Sequence, residues 1–182
     1  MNKEKTFSIT VASCKRELPI CPISDSLNIA AFIMFGDVEI TEKSATELLK
    51  KCPEFDILIT AESKGIPLCY EMAKQSNKKY IVARKFEKLY MKNPVCVEVK
   101  SITTANVQKL YLSESDFENI QNKKVLIVDD VISTGRSLLA LEELIKKAGG
   151  KIAGKACVLA EGDASKRSDI IFLNTLPLLE KS

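Results

Sequence analysis

Apolar runs and helical patterns alternate along the last two-thirds of the chain. Four runs are continuously apolar, which is typical of strands buried on both faces, and they cover residues 55–61, 79–85, 123–130 and 151–161. The segment IPLCYEMAKQS follows the first run with a helical pattern. A second helix follows the third run, with Leu138, Leu141, Leu144 and Ile145 at helical spacing and Gly149-Gly150 at its end. The pattern predicts an α/β fold, an open parallel sheet with helices on both faces.

Two further regions depart from this rhythm. Residues 90–112 are rich in Val, Thr and Ile with partial alternation, which predicts a projecting β-hairpin with its turn near residues 104–106. In the first forty residues we expect a strand over residues 8–12, an extended stretch at LPICP and a helix over residues 26–35. No repeat or linker divides the chain, so residues 1–182 are predicted to form a single domain.

Composition removes several classes of protein. The chain of 182 residues is 46% hydrophobic and 28% charged, and no apolar run approaches the roughly 20 residues that span a bilayer. The six cysteines form no CxxC pair, and MNKEKTFSIT has no apolar stretch typical of an export signal. We therefore expect a cytoplasmic protein with reduced thiols and no membrane partner. The net charge of +3 is dispersed along the chain, so no nucleic-acid partner is predicted.

The absence of histidine limits the chemistry that the chain can perform. Nucleophile systems that pair Ser or Cys with His are excluded, as are the common histidine metal sites. Any reaction must therefore use carboxylates, lysines, arginines, hydroxyls and backbone amides.

The strongest motif is VLIVDDVISTGRS, residues 125–137. Asp129 and Asp130 end a buried strand, at the sheet edge where open α/β proteins bind ligands. The loop of small and hydroxyl residues that follows opens a helix, whose N-terminus carries about half a positive charge and binds anions. Since ionised carboxylates only accept hydrogen bonds, the acids suit the hydroxyls of a sugar whose phosphate occupies the loop. The alternative is an ordinary strand–turn–helix with an N-cap, which needs only one such side chain.

This loop closely resembles the motif of type I phosphoribosyltransferases that binds 5-phosphoribosyl 1-pyrophosphate (PRPP). The resemblance extends over most of the chain and is closest to the adenine phosphoribosyltransferase-like group. TAESKGIPL is similar to the family's pyrophosphate loop, with Lys64 at a usual arginine position, and ARKFEKL is similar to its basic segment. Residues 90–112 take the place of the flexible catalytic loop. RELPICPISDS, within residues 1–40, is similar to a reduced form of the hood that covers the base.

The resemblance implies a role for each part of the site. Asp129, Asp130 and Glu98 would be catalytic, and the 5-phosphate would bind Ser133, Thr134, Gly135, Arg136 and Ser137. Pyrophosphate would bind Glu62, Ser63, Lys64, Gly65, Arg84, Lys85 and Lys88, and the base would contact Cys21, Ile23, Val131, Ile132 and Leu159. Mg²⁺ would be held mainly by PRPP oxygens and water, with no direct protein ligand, and the fold suggests a homodimer.

The implied activity is purine salvage, in which PRPP and a purine base yield a nucleoside monophosphate and pyrophosphate. Adenine is the first expectation for the base, and hypoxanthine or guanine is the alternative. The hairpin reads VEVKS where adenine enzymes have a Glu-Tyr-Gly signature, and the hood has Ile23-Ser24 in place of an aromatic–basic pair. A non-catalytic regulator that binds PRPP is a further alternative. It would need a DNA-binding element, which the dispersed charge does not indicate.

Overall fold

The computed structural model describes residues 5–100 and 107–180, and it describes their side chains except at 99, 100, 107 and 108. The strands are β1 (Thr6–Val11), β2 (Cys14–Pro22), β3 (Leu27–Ala30), β4 (Ile57–Ala61), β5 (Lys79–Ala83), β6 (Val95–Lys100), β7 (Val107–Leu112), β8 (Lys124–Ile132), β9 (Lys151–Glu161), β10 (Ile171–Leu176) and β11 (Leu178–Glu180). The α-helices are α1 (Val38–Leu49), α2 (Ile66–Ser76), α3 (Glu114–Ile120) and α4 (Arg136–Lys147), and a short 3-10 helix covers Gly162–Lys166.

A five-stranded parallel sheet organises the molecule, in the order β10-β9-β8-β4-β5. Neighbouring residues of a strand point to opposite faces, so Leu58 packs with α1 and α2, whereas Ile57 and Ile59 pack with α4. The sheet therefore separates two hydrophobic cores. This arrangement confirms the predicted α/β fold with helices on both faces.

The N-terminal strands form a second, antiparallel sheet in the order β1-β2-β3-β11. Strand β11 follows β10 after one residue and pairs with β3, with Leu178 opposite Ile29. Because β10 belongs to the parallel sheet, this connection places the edge of the N-terminal sheet at the carboxyl edge of the parallel strands. The hood-like segment is therefore built at the edge where the motif of residues 125–137 ends.

The helix expected over residues 26–35 is wrong. Residues Leu27–Ala30 form β3, and the segment after them remains extended, with Phe32 and Met34 buried while Ile33 and Phe35 are exposed. That alternation has the period of two of an extended chain. The pairing of β3 with β2 and with the distant β11 outweighs the local helical pattern.

Helix α1 had no counterpart in the sequence prediction. Its buried face contains Thr41, Ser44 and Ala45 beside Ile40 and Leu48, so its apolar pattern is weak. Asp37 caps the helix by accepting a hydrogen bond from the Ile40 amide at 3.2 Å.

The predicted hairpin is confirmed as the antiparallel pair β6–β7, although its predicted turn lies outside the described residues. Leu110 and Leu112 are fully buried against the α4 side of the sheet, and the backbones of Arg84 and Tyr111 exchange hydrogen bonds of 2.9 and 2.8 Å. The base of the hairpin is therefore fixed to the domain. Among the described residues, no helix is long and apolar enough to cross a membrane.

Candidate functional site

The loops after β4 and β8 meet at the carboxyl edge of the sheet, because these strands are adjacent and parallel. A β-carbon on Gly65 would lie 2.5 Å from Oγ1 of Thr60 and 2.9 Å from Oδ1 of Asp129. Real β-carbons do not approach other atoms so closely, so only glycine permits this contact. The sequence thus brings the predicted pyrophosphate loop against the first acid of the VLIVDDVISTGRS motif.

The two acids occupy a site of low solvent access. Asp130 is 5% exposed, and its Oδ2 has no hydrogen-bond partner among the described residues, while Oδ1 of Asp129 accepts the Asp130 amide at 2.9 Å. Burial and the neighbouring Asp130 carboxylate raise the pKa of Asp129 well above its ordinary value, and burial also raises the pKa of Asp130. Lys64 opposes both shifts electrostatically. A nearby cation would therefore favour ionisation of the pair.

The loop after β8 encloses a cavity of about 210 Å³. Its walls are Asp129, Val131, Ile132, Ser133, Thr134, Gly135, Arg136, Ser137 and Leu138. Gly135 has a φ of +74°, a left-handed conformation that glycine adopts without steric cost, and α4 begins at the next residue. The predicted phosphate-binding residues are therefore brought together around one cavity at a helix N-terminus.

The predicted pyrophosphate residues form two groups, the loop of residues 62–65 after β4 and the basic segment of residues 84–88 after β5. The Glu62–Ser63 peptide bond is cis, Ser63 and Lys64 are exposed, and Gly65 is buried. Glu62 accepts the Lys85 amide at 3.1 Å and lies 3.4 Å from Nη1 of Arg84. Nζ of Lys88 lies 3.9 Å from the same carboxylate. The Lys85 hydrogen bond lowers the pKa of Glu62, which is therefore an anion that gathers the basic segment beside the loop.

Glu98, the third predicted catalytic residue, lies on the hairpin away from the cavity lining. It is opposite Lys109 in the β6–β7 register, and their charged atoms are 2.5 Å apart. The described contacts do not bring Glu98 to either aspartate.

The predicted base pocket is divided in the structure. Val131 and Ile132 line the cavity, whereas Leu159 is fully buried in the core on the α1 and α2 side. Cys21 is half-buried at the end of β2, and Ile23 is 54% exposed in the turn after it. The hood residues and the cavity residues therefore come from two different sheets.

Two residues at the site were assigned no role by the sequence analysis. Thr60 is fully buried and touches the space that a Gly65 side chain would fill. Arg167 lies beside the phosphate loop, since a β-carbon on Gly135 would be 3.0 Å from its Nη1. A basic pair at Lys166-Arg167, just beyond the carboxyl end of β9, was the available signal.

The sequence matches the family model described as "Phosphoribosyl transferase domain" over residues 37–178. The chain belongs to the phosphoribosyl transferase family. This phosphoribosyltransferase, a pentosyltransferase, is 34% identical over 160 residues to the hypoxanthine/guanine phosphoribosyltransferase of Methanotorris igneus, covering 86% of this chain and 80% of that protein. It is 31% identical over 150 residues to the protein of the same name from Methanocaldococcus jannaschii, covering 81% and 74% of the two chains.

Solved structures show the same fold. The adenine phosphoribosyltransferase of Saccharomyces cerevisiae superposes with a TM-score of 0.68 at 18% identity, covering 92% of this phosphoribosyltransferase and 93% of that chain. The adenine phosphoribosyltransferase of Thermoanaerobacter pseudethanolicus gives a TM-score of 0.65 at 20% identity, covering 78% and 84%. These matches confirm the type I phosphoribosyltransferase fold that the motif predicted.

Proposed function

We propose that the protein transfers the 5-phosphoribosyl group of PRPP to a purine base in purine salvage, releasing pyrophosphate. One observation carries this proposal: Asp129 lines the phosphate cavity and also lies against Gly65 of the loop after β4, with the buried Asp130 next to it in β8. A donor with a phosphate at one end and a pyrophosphate at the other matches this order of sites. The sugar then lies beside the acids.

Asp129 and Asp130 would accept hydrogen bonds from the ribose hydroxyls and stabilise positive charge on the sugar. Burial raises the pKa of both acids, so their ionised forms are less stable in this site than in water. As the bond to pyrophosphate breaks, the ribosyl group gains oxocarbenium character, and this positive charge favours the ionised acids. The two acids would therefore stabilise the transition state more than the bound substrate in its ground state.

The leaving pyrophosphate would bind Lys64, Arg84, Lys85 and Lys88 together with the amides of the loop after β4. Glu62 now pairs with Arg84 and Lys88. An incoming pyrophosphate, which carries several negative charges, competes for these cations with a single carboxylate. Glu62 thus holds the basic side chains beside the loop until the donor arrives.

Magnesium fits this site as a companion of the donor. The described residues contain no group of three acidic, Cys or His side chains that would hold a metal by themselves. The unpartnered Oδ2 of Asp130 can accept a hydrogen bond from a water of hydration, so Mg²⁺ would be held mainly by oxygens of PRPP and by water, without a direct protein ligand. When bound, Mg²⁺ would neutralise charge on the pyrophosphate group.

We propose hypoxanthine or guanine as the acceptor, with adenine as the second candidate. Support comes from the two named archaeal relatives, which are at least 31% identical over most of this chain. The two adenine enzymes named above are 20% and 18% identical to this chain, and that degree of similarity supports the fold alone.

Pyrophosphate release would test the activity. The protein is incubated with Mg²⁺, PRPP and each of hypoxanthine, guanine, adenine, xanthine and uracil, and we expect release with hypoxanthine or guanine. Turnover with adenine alone would contradict hypoxanthine or guanine as the acceptor and would make adenine the first candidate. Turnover with uracil alone would overturn the purine assignment. PRPP binding without turnover on any base would instead support a PRPP-binding regulator.

We further propose that the protein is a cytoplasmic homodimer, which the family resemblance suggests. Sedimentation equilibrium of the purified protein should give twice the 20.2 kDa mass of the chain. A mass that remains at one chain across micromolar concentrations would contradict the dimer.

A further inference from the structure

We propose that Arg167 is an additional ligand of the 5-phosphate and that Asp169 holds it in place. The inference rests on the proposed function, because it assumes that a ribose 5-phosphate group occupies the cavity after β8. It adds a binding residue from outside the motif of residues 125–137.

The guanidinium of Arg167 has a fixed orientation. Nε and Nη2 donate to the two oxygens of Asp169 at 2.8 and 2.7 Å, a bidentate pair that defines the plane of the group. The remaining nitrogen, Nη1, is the atom that faces Gly135, and it takes no part in the pair with Asp169. An arginine held on one side therefore presents free donors to the phosphate loop.

Asp169 is itself fixed by a second cation. Lys155, whose side chain is 15% exposed, lies 2.9 Å from Asp169 and 2.6 Å from Glu142. Glu142 belongs to α4, the helix that begins at the phosphate cavity. The ion pairs thus connect Arg167 to the same helix whose N-terminus it faces, and they hold both in one arrangement.

Charge balance also favours a phosphate at this position. Among the described residues that line the cavity, Arg136 is the only cation and Asp129 is an acid. A phosphate monoester carries close to two negative charges at neutral pH. Arg167 supplies a second cation within reach of the loop. The positive charge around the cavity then comes closer to balancing the negative charge of the phosphate.

The order of the strands separates Arg167 from the pyrophosphate site. Arg167 follows β9, which flanks β8 on one side, whereas Lys64 follows β4 on the other side of β8. Arg84 and Lys88 follow β5, one strand further away. Arg167 should therefore affect binding of the 5-phosphate and leave binding of pyrophosphate unchanged.

Calorimetric titration of the whole protein with ribose 5-phosphate, and separately with Mg²⁺ and pyrophosphate, tests this assignment. R167Q should weaken ribose 5-phosphate binding by about tenfold or more, the loss of one charge-assisted hydrogen bond, and leave the pyrophosphate Kd unchanged. K166Q is the matched control, because it removes the same charge from the neighbouring residue, whose side chain is 80% exposed. It should change neither Kd.

Two further variants separate ligand binding from support of the fold. R167K keeps the charge but loses the bidentate pair, so it should bind ribose 5-phosphate better than R167Q does. D169N keeps the arginine and loosens its orientation, so it should give an intermediate loss. Unchanged ribose 5-phosphate binding in a folded R167Q protein would overturn the inference, as would equal losses for both ligands. If the wild-type protein binds neither ribose 5-phosphate nor PRPP, the proposed function itself fails.

Discussion

Gly65 is the residue on which the junction of the two loops depends. Its α-carbon leaves no space for a side chain between Thr60 and Asp129. The motif comparison had marked this glycine only as part of a pyrophosphate loop, whereas the structure shows that it also sets the position of the first acid.

We therefore expect G65A to lose activity through displacement of Asp129. Overpacking of this kind costs about 1–3 kcal/mol of unfolding free energy, which urea denaturation would measure. The double variant G65A/T60A removes one of the two clashes, so it should recover part of the stability while PRPP turnover stays low. Full recovery of turnover would show that Asp129 is not the critical neighbour.

A second residue-scale prediction concerns Asp129. The transition-state role predicts that D129N lowers kcat by about 10²-fold. The same substitution should not lower the free energy of unfolding. The folded-state pKa of this acid is raised, so the folded protein retains its proton better than the unfolded chain does, and stability declines as pH rises above the ordinary value of 3.8. Asparagine has no titratable proton, so the variant does not show this decline.

D129N should therefore be at least as stable as the wild-type protein at pH 7, with its advantage shrinking as pH falls towards 4. Urea denaturation at pH 7 and pH 5 measures the difference. A variant that is clearly less stable at pH 7 would show that the carboxylate makes stabilising contacts in the ligand-free fold.

At the scale of elements, the continuous apolar strands were the predictable part of the fold. The parallel strands β4, β8 and β9 were recognised because apolar residues cover both of their faces, and α4 because its apolar stripe is regular. The edge strand β5 was recognised from its apolar residues Ile81, Val82 and Ala83, although Lys79 and Tyr80 are exposed. The N-terminal region was not, because β3 is stabilised by β11, which lies about 150 residues away in the sequence. Local patterns contain no information on such a pairing.

The candidate site shows the same division between local and distant contacts. The predicted phosphate residues lie in one continuous segment of the sequence, and the structure brings them around one cavity. Arg167 enters the site from the segment after β9, and no pattern within the motif indicates it. Glu98 lies on a hairpin whose tip is outside the described residues, so its role is a prediction that remains to be tested.

The hairpin gives an element-scale prediction. If it closes over the donor, Glu98 would reach the reaction centre, and E98Q should lower kcat by about 10²-fold at an unchanged PRPP KM. K109Q is the control, because it removes the same exposed ion pair from the opposite strand. Equal effects of the two variants would show that the pair only supports the hairpin.

At the scale of the whole molecule, ligand binding should stabilise the domain. PRPP with Mg²⁺ at one hundred times its Kd adds about 2.7 kcal/mol, which for a chain of this length raises Tm by about 5–10 °C. Differential scanning fluorimetry would measure the shift, and uridine, which lacks phosphate, serves as the control ligand. The absence of a shift with PRPP would contradict a donor site that is formed in the folded protein.

The pairing of β11 with β3 has a consequence for how the protein is made. Ribosomes release a chain in sequence order, so strands β4, β5 and β8 and the loop after β8 leave the exit tunnel before β10 and β11, which are one residue apart. A nascent chain can thus assemble its donor-binding half while the N-terminal sheet still lacks its fourth strand. Because of this order of synthesis, the nascent protein would be able to bind PRPP before its N-terminal sheet can cover an acceptor base.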